Sequence, residues 1–213
     1  QSEFLAAKLA FDEGLDEVSL TTLQSFVKEY PDSKMLGEAK EMLTDIYVRS
    51  NNYAAALELL ESINNKSPRL KAAYQKAAFC SGVQKYHNRD FHGARNFFER
   101  SLRYPVDNQM VAEAAFWKGE IAYYDGSYQD AILEFNKYLS LSEMAGAKVS
   151  NNNLANVYYD LAYCYLKMQK HDQALQYLNS CLQVAKEKSK LWTDVNLRIA
   201  DCYFVQKIYD KAT

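Results

Sequence analysis

Apolar side chains recur along this chain with the spacing of a helix face. Between Ala112 and Leu139, Ala115, Gly119 and Ala122 lie about one helical turn apart, Asp125, Gly126 and Ser127 interrupt them, and Tyr128, Ala131, Phe135, Tyr138 and Leu139 resume the period. The pattern predicts helix, tight turn, helix. It recurs at Phe4, Ala7 and Phe11, a break at Gly14, then Ser19, Leu23 and Phe26 ahead of Pro31; and at Ala39, Leu43 and Tyr47, then Asn51 and Asn52, then Tyr53, Ala56 and Leu60, with Pro68 read as terminator. Ala77, Ala78, Gly82 and Tyr86 lead through Asn88 to Asp90 into Phe91, Ala94, Phe98 and Leu102, with Pro105 closing the unit. Tyr158, Leu161, Ala162 and Tyr165 lead to His171, Ala174, Leu178 and Leu182, and Ile199, Ala200 and Tyr203 to Tyr209 and Ala212. The expected fold is all-α, with eleven complete helices and turns near 14–18, 50–53, 88–90, 125–127, 169–171 and 206–208.

A small residue marks each unit: Ser19, Ala56, Ala94, Ala131, Ala174 and Ala212, in gaps of 37, 38, 37, 43 and 38 residues. Units of that length cannot bury an apolar face alone, so they stack into a solenoid. Small side chains at Gly119 and Ala131 let the two antiparallel helices of a pair approach closely. The longest gap contains Ser140 to Asn153, read as a longer inter-repeat loop or helix extension, with Asn153 capping the next helix.

The order small residue, Tyr, turn, Tyr-x-x-Ala, Phe or Leu, Pro resembles the tetratricopeptide repeat over essentially the whole chain. Gly119, Gly126, Tyr128, Ala131 and Phe135 match best, with Tyr158, Leu161, Ala162, Tyr165, Ala174 and Leu178 in the next unit. Ser19 for Ala, Lys118 for Leu, His171 for Tyr, and units longer than the usual residue count of about thirty-four are departures. The resemblance implies a right-handed superhelix of helix pairs in one array, with units at about 1–34, 35–69, 70–106, 107–150, 151–189 and an incomplete 190–213. Because Ala212 opens a second helix, the chain is expected to continue past Thr213 as a fragment of a longer one. The stretch FVKEYPDSK, Phe26 to Lys34, is similar to repeat ends of bacterial cell-envelope members of the family; it implies the periplasm or envelope, with the cytoplasm as the alternative.

In the resembling family the first helix of each pair lines a concave surface. That places Phe79, Tyr86, Phe116, Tyr123, Tyr159, Tyr163 and Phe204 toward a groove, with Glu120 and its acidic companions Glu38, Glu41, Asp45, Glu113 and Asp201 between them. An aromatic groove with acidic flanks suits a partly apolar peptide bearing Lys or Arg. The alternative for the same rings is ordinary packing between helices. Glu41 and Asp45 stand where chaperone-tail binders of the family carry a basic carboxylate clamp, so no such clamp is expected.

Composition narrows function by exclusion. With 17 Tyr and 10 Phe but only 3 Pro and 7 Gly, the chain favours long helices. A formal charge of -2 and a pI near 6.0 provide no basic field for nucleic acid. No apolar run is long enough for a membrane span. The absence of an initiator Met leaves a removed signal or anchor open. Cys80, Cys164, Cys181 and Cys202 lack zinc spacing and read as small buried hydrophobes.

His87, Asp90 and His92 are the only concentration of metal-ligand types, and they lie at a turn that wants polar residues anyway. Glu113 and Glu120 share a helix face as solvated acids, and no phosphate loop or nucleophile set is present. The chain therefore reads as a non-catalytic protein- or peptide-binding scaffold, with no cofactor or metal. An envelope assembly adaptor, an accessory region of a larger enzyme and a glycan-binding surface stand as alternatives.

Overall fold

The computed structural model describes residues 2–144 and 151–211, and these are all-α, with no strand. Among the described residues eleven α-helices are followed by one 3-10 turn at Tyr209–Lys211. The chain divides into two compact units, Gln1–Met110 and Val111–Thr213. The first holds α1 (Ser2–Asp12), α2 (Asp16–Glu29), α3 (Leu36–Arg49), α4 (Tyr53–Glu61), α5 (Pro68–His87) and α6 (Phe91–Ser101). The boundary falls in the first turn of α7 (Asn108–Tyr124); the second unit continues with α8 (Tyr128–Met144), α9 (Asn151–Lys167), α10 (His171–Val184) and α11 (Lys190–Val205).

Each tight turn is built the same way. Gly14, Asn51, Arg89, Gly126, Gln169 and Lys207 all have φ between 58° and 75°, and each lies five residues before the small residue of its unit. The left-handed residue donates its N–H three residues back, as Gly126 does to the Tyr123 carbonyl, and its successor donates five back, as Ser127 does to Ala122. This pair of bonds satisfies two of the carbonyls a helix end leaves open and turns the chain into the next helix. Only two of the six are Gly, which is why the turns are hard to locate by composition. The first turn is tighter than expected: α2 begins at Asp16, so 16–18 are helical. A Cβ at Gly126 would meet nothing within 4 Å. Gly126→Ala should therefore cost only the left-handed backbone penalty, about 1 to 2 kcal/mol, measurable by urea denaturation against the same change at Gly37, which also has open space and no positive φ.

Two sequence expectations need correcting. Pro68 does not end a helix; it is the first residue of α5 behind the N-cap Ser67, whose Oγ accepts from the Leu70 amide, because a missing N–H does no harm in the first helical turn. Asn153 lies inside α9 rather than capping it. The extra residues of the long repeat partly lengthen α8, which has 17 residues against 11 in α6; the remainder of that insertion, 145–150, lies outside the described residues.

Packing within each pair follows one register. Ser19, Ala56, Ala94, Ala131 and Ala174 are all fully buried, and the Ser19 hydroxyl is satisfied by donating to the Ala7 carbonyl at 3.0 Å. Two further positions face each other with complementary sizes. Where the first helix carries Gly82 or Gly119, the second carries Phe98 or Phe135, and a Cβ on either glycine would sit 2.7 Å from the ring. Where the first helix carries Ala7, Thr44 or Ala162, the equivalent residue is Leu23, Leu60 or Leu178. All five large partners are fully buried. Lys118, an unusual residue for its position, pairs with Glu134 at 2.6 Å. The link between α6 and α7 is held by Gln75, which is 1% exposed. Its Oε1 accepts from the Val106 and Asp107 amides at 3.0 and 2.7 Å, and its Nε2 donates to the Asp107 carbonyl.

Candidate functional site

The expected groove residues fall into the two units and into different roles. In the first unit, Phe79 is buried, with its ring 5.7 Å from that of Phe98. It is a packing residue, so the expectation that it faces a groove is corrected here. Tyr86 is half-buried at the end of α5, 5.4 Å from Phe91. The acids of this unit are already engaged: Glu38 pairs with Lys8, Asp45 with Arg69, and Glu41 accepts from the Ser67 hydroxyl.

In the second unit Phe116, Glu120 and Tyr123 stand on α7, Tyr159 and Tyr163 on α9, and Phe204 on α11. Phe116 packs against Phe135 and Tyr138 with one side. With the other it lines a cavity of about 270 Å³, together with Glu113, Trp117, Asn156 and Val157. It serves core and surface at once. Tyr123 is half-buried beside Tyr128, and burial pushes its hydroxyl up to about 12. Phe204 is 64% exposed and touches Tyr209 edge-on.

Tyr159 and Tyr163, one turn apart on α9, form the best-defined part of this face. Their rings are 4.6 Å apart, and both hydroxyls donate to Asp194 Oδ2 on α11, at 2.6 Å and 3.4 Å. Burial and the bond to Asp194 hold the Tyr159 proton firmly. The same bond, reinforced by Arg198, keeps Asp194 below the ordinary carboxylate range. Arg198 in turn reaches Asp194 at 3.3 Å and Asp201 at 2.9 Å. The two rings are thus fixed in orientation yet remain half-exposed. Such side chains bring contact area to a partner at little further entropy cost.

Three residues of this face, Asp160, Asp194 and Arg198, were not singled out by spacing alone. Repeat register would have found two of them. Asp160 and Arg198 occupy successive copies of a position that is Leu5, Met42, Cys80 and Trp117 in the earlier units. Elsewhere the candidate chemistry resolves into structure. Asp90 caps α6 by accepting from the Gly93 amide and pairs with Lys85. Cys164, Cys181 and Cys202 are buried thiols, and burial pushes Cys164 up to about 12. Among the described residues no group of three or more His, Cys, Asp or Glu is placed to hold a metal ion, and no helix is long and apolar enough to cross a membrane.

Comparison with known proteins agrees with this architecture. A search of curated protein sequences finds no match. Among solved structures, BtubC from P. vanneervenii is similar over 97% of this chain and 87% of its own, at 15% identity and a TM-score of 0.54. The Cut9–Hcn1 hetero-tetramer of APC/C matches 99% of this chain and 37% of the other, at 16% identity and a TM-score of 0.54. MamA protein matches 85% and 89%, at 15% identity and a TM-score of 0.50. Likeness at such identities speaks to the fold alone. Two tetratricopeptide-repeat family models match the sequence, one at residues 85–145 and one at residues 1–33 and 156–185, together more than half of the chain. With the repeated left-handed turn, the buried small residue five positions after it and these matches, the chain belongs to the tetratricopeptide repeat family.

Proposed function

We propose that the chain is a non-catalytic scaffold that docks another protein, and that in the unit Val111–Thr213 the face carrying Tyr123, Tyr159 and Tyr163 receives a peptide segment of the partner. One observation carries this reading: two half-exposed tyrosines are locked by a shared carboxylate through part-buried hydrogen bonds that packing alone does not require. Interfaces concentrate their energy in a few rigid aromatics of this kind. The similarity of Phe26 to Lys34 to envelope repeat ends supports an envelope assembly adaptor as the setting for such a scaffold.

The test uses the full chain as bait, with Tyr123→Ala and Tyr159→Ala beside it. A true partner is retained by the parent and weakened by more than about 1 kcal/mol in each variant, while thermal midpoints show both variants folded. Lost stability with retained affinity in both would return these tyrosines to the core and end the reading.

A further inference from the structure

Two successive junctions of the second unit serve as controls for each other. Between α9 and α11, the Tyr159 hydroxyl donates to Asp194 at 2.6 Å. Between α7 and α9 the same two repeat positions hold Phe116 and Asn156, and phenylalanine has no hydroxyl to donate. What the later pair closes with a hydrogen bond, the earlier pair leaves as the cavity of about 270 Å³. The Phe116 ring lies 5.4 Å from that of Trp117 at 72° and 5.6 Å from that of Tyr138 at 57°, and Glu113, Asn153 and Asn156 share the lining. Among the described residues that line the cavity one is a carboxylate and none is Lys, Arg or His. Burial raises the Tyr138 hydroxyl above its ordinary value and the charge of Glu113 adds to the effect, so the field of that carboxylate reaches the rings.

Resting on the docking reading above, we infer that the partner segment inserts an arginine or lysine side chain into this cavity, its apolar stem against Phe116 and Trp117 and its charged head toward Glu113 and the Asn156 carboxamide. Phe116 holds in α7 the position that Tyr159 holds in α9, so the cavity belongs to the same run of first-helix positions as the docking face. Small-molecule sites enclose roughly 300 to 1,000 Å³; a space just under that range suits one long side chain. Its lining selects a basic one. Aromatic faces and a carboxylate both attract a cation, and a long stem covers apolar rings while its head stays among polar groups. A carboxylate offers about four acceptor positions and a carboxamide oxygen about two, so Glu113 and Asn156 can take the guest's N–H groups beside the neighbours they already have. An acidic side chain would meet the Glu113 charge, and an apolar one would strip water from the carboxylate and carboxamides without replacing it.

The cavity carries its own reporter. The chain has two tryptophans, Trp117 in the lining and Trp192 near the start of α11. Trp192→Phe leaves Trp117 as the only indole, so a side chain entering the cavity should change the emission of that ring. Glu113→Gln keeps the size of the side chain and removes its charge, which separates attraction from packing.

A random dodecapeptide display library, selected on the full chain, tests the inference. The expected result is enrichment of peptides with Arg or Lys next to apolar or aromatic residues. Synthetic copies should change Trp117 emission in Trp192→Phe and bind Glu113→Gln and Trp117→Ala about tenfold more weakly than the parent. Exchanging the peptide's basic residue for norleucine should cost the parent as much and erase the difference between parent and Glu113→Gln, the coupling that direct contact requires. Thermal midpoints show which variants fold, and the size-conserving Glu113→Gln decides the matter even if Trp117→Ala does not. Peptides that bind Glu113→Gln and Trp117→Ala as well as the parent and are lost in Tyr159→Ala would overturn the cation seat and leave the docking face standing. A neutral oligosaccharide held by the chain on a glycan array and lost in Trp117→Ala would overturn the seat in favour of a sugar. Peptides insensitive to all three variants, or no enrichment at all, would overturn the seat and the face together.

Discussion

Phe135→Ala should lower unfolding free energy by about 3 to 5 kcal/mol, the largest loss expected from any single truncation in the second unit. The ring is fully buried and lies over Gly119 in a gap sized for it. The reciprocal change is expected to be harmful as well. Alanine is the better helix former, by about 1 kcal/mol; even so, Gly119→Ala should destabilise by about 1 to 3 kcal/mol, because its Cβ would stand 2.7 Å from a ring that cannot retreat. Denaturant titration of the double variant Gly119→Ala/Phe135→Leu decides whether size complementarity is the cause. It recreates the Ala162 and Leu178 pairing of the next unit, so its loss should be clearly smaller than the sum of the two single changes. Strict additivity would mean that the two positions do not read each other.

Gln75→Leu should cost about 2 to 3 kcal/mol despite matching the side chain's size and removing a polar atom from the core. One side chain satisfies two amides and one carbonyl in the link between α6 and α7. The Val106 amide keeps its bond to the Tyr104 carbonyl, but leucine takes the Gln75 partner from the Asp107 amide and carbonyl, and that penalty exceeds what the added apolar surface returns. Hydrogen exchange localises the effect: protection should fall first at the Asp107 amide, ahead of the helix interiors. Uniform loss across the unit would instead point to a packing defect.

Helix number, pairing and turn positions were legible in the sequence because they depend on local spacing. A period of about 3.6 marks a buried stripe wherever it occurs, and the gaps between small residues reproduce the gaps between left-handed turn residues, since both are set by one backbone turn. The candidate face was only partly legible. Composition and register marked Tyr123, Tyr159 and Tyr163, yet the same register marked Phe79, which the ring of Phe98 draws into the core. Aromatic residues satisfy core and groove alike, so their side of the helix depends on what the neighbouring helix presents.

What the sequence determined by itself, then, is the repeat, its helix pairs and the size of the residue each close approach tolerates, all consequences of short-range sterics and burial. Only the tertiary structure decided which side chains share a proton or a charge. The Tyr159 hydroxyl meets Asp194 across 35 positions, and the charge of Glu120 acts on Asp160 from another repeat. Such interactions depend on ångström-scale distance and on water being excluded, and neither is written in spacing along the chain.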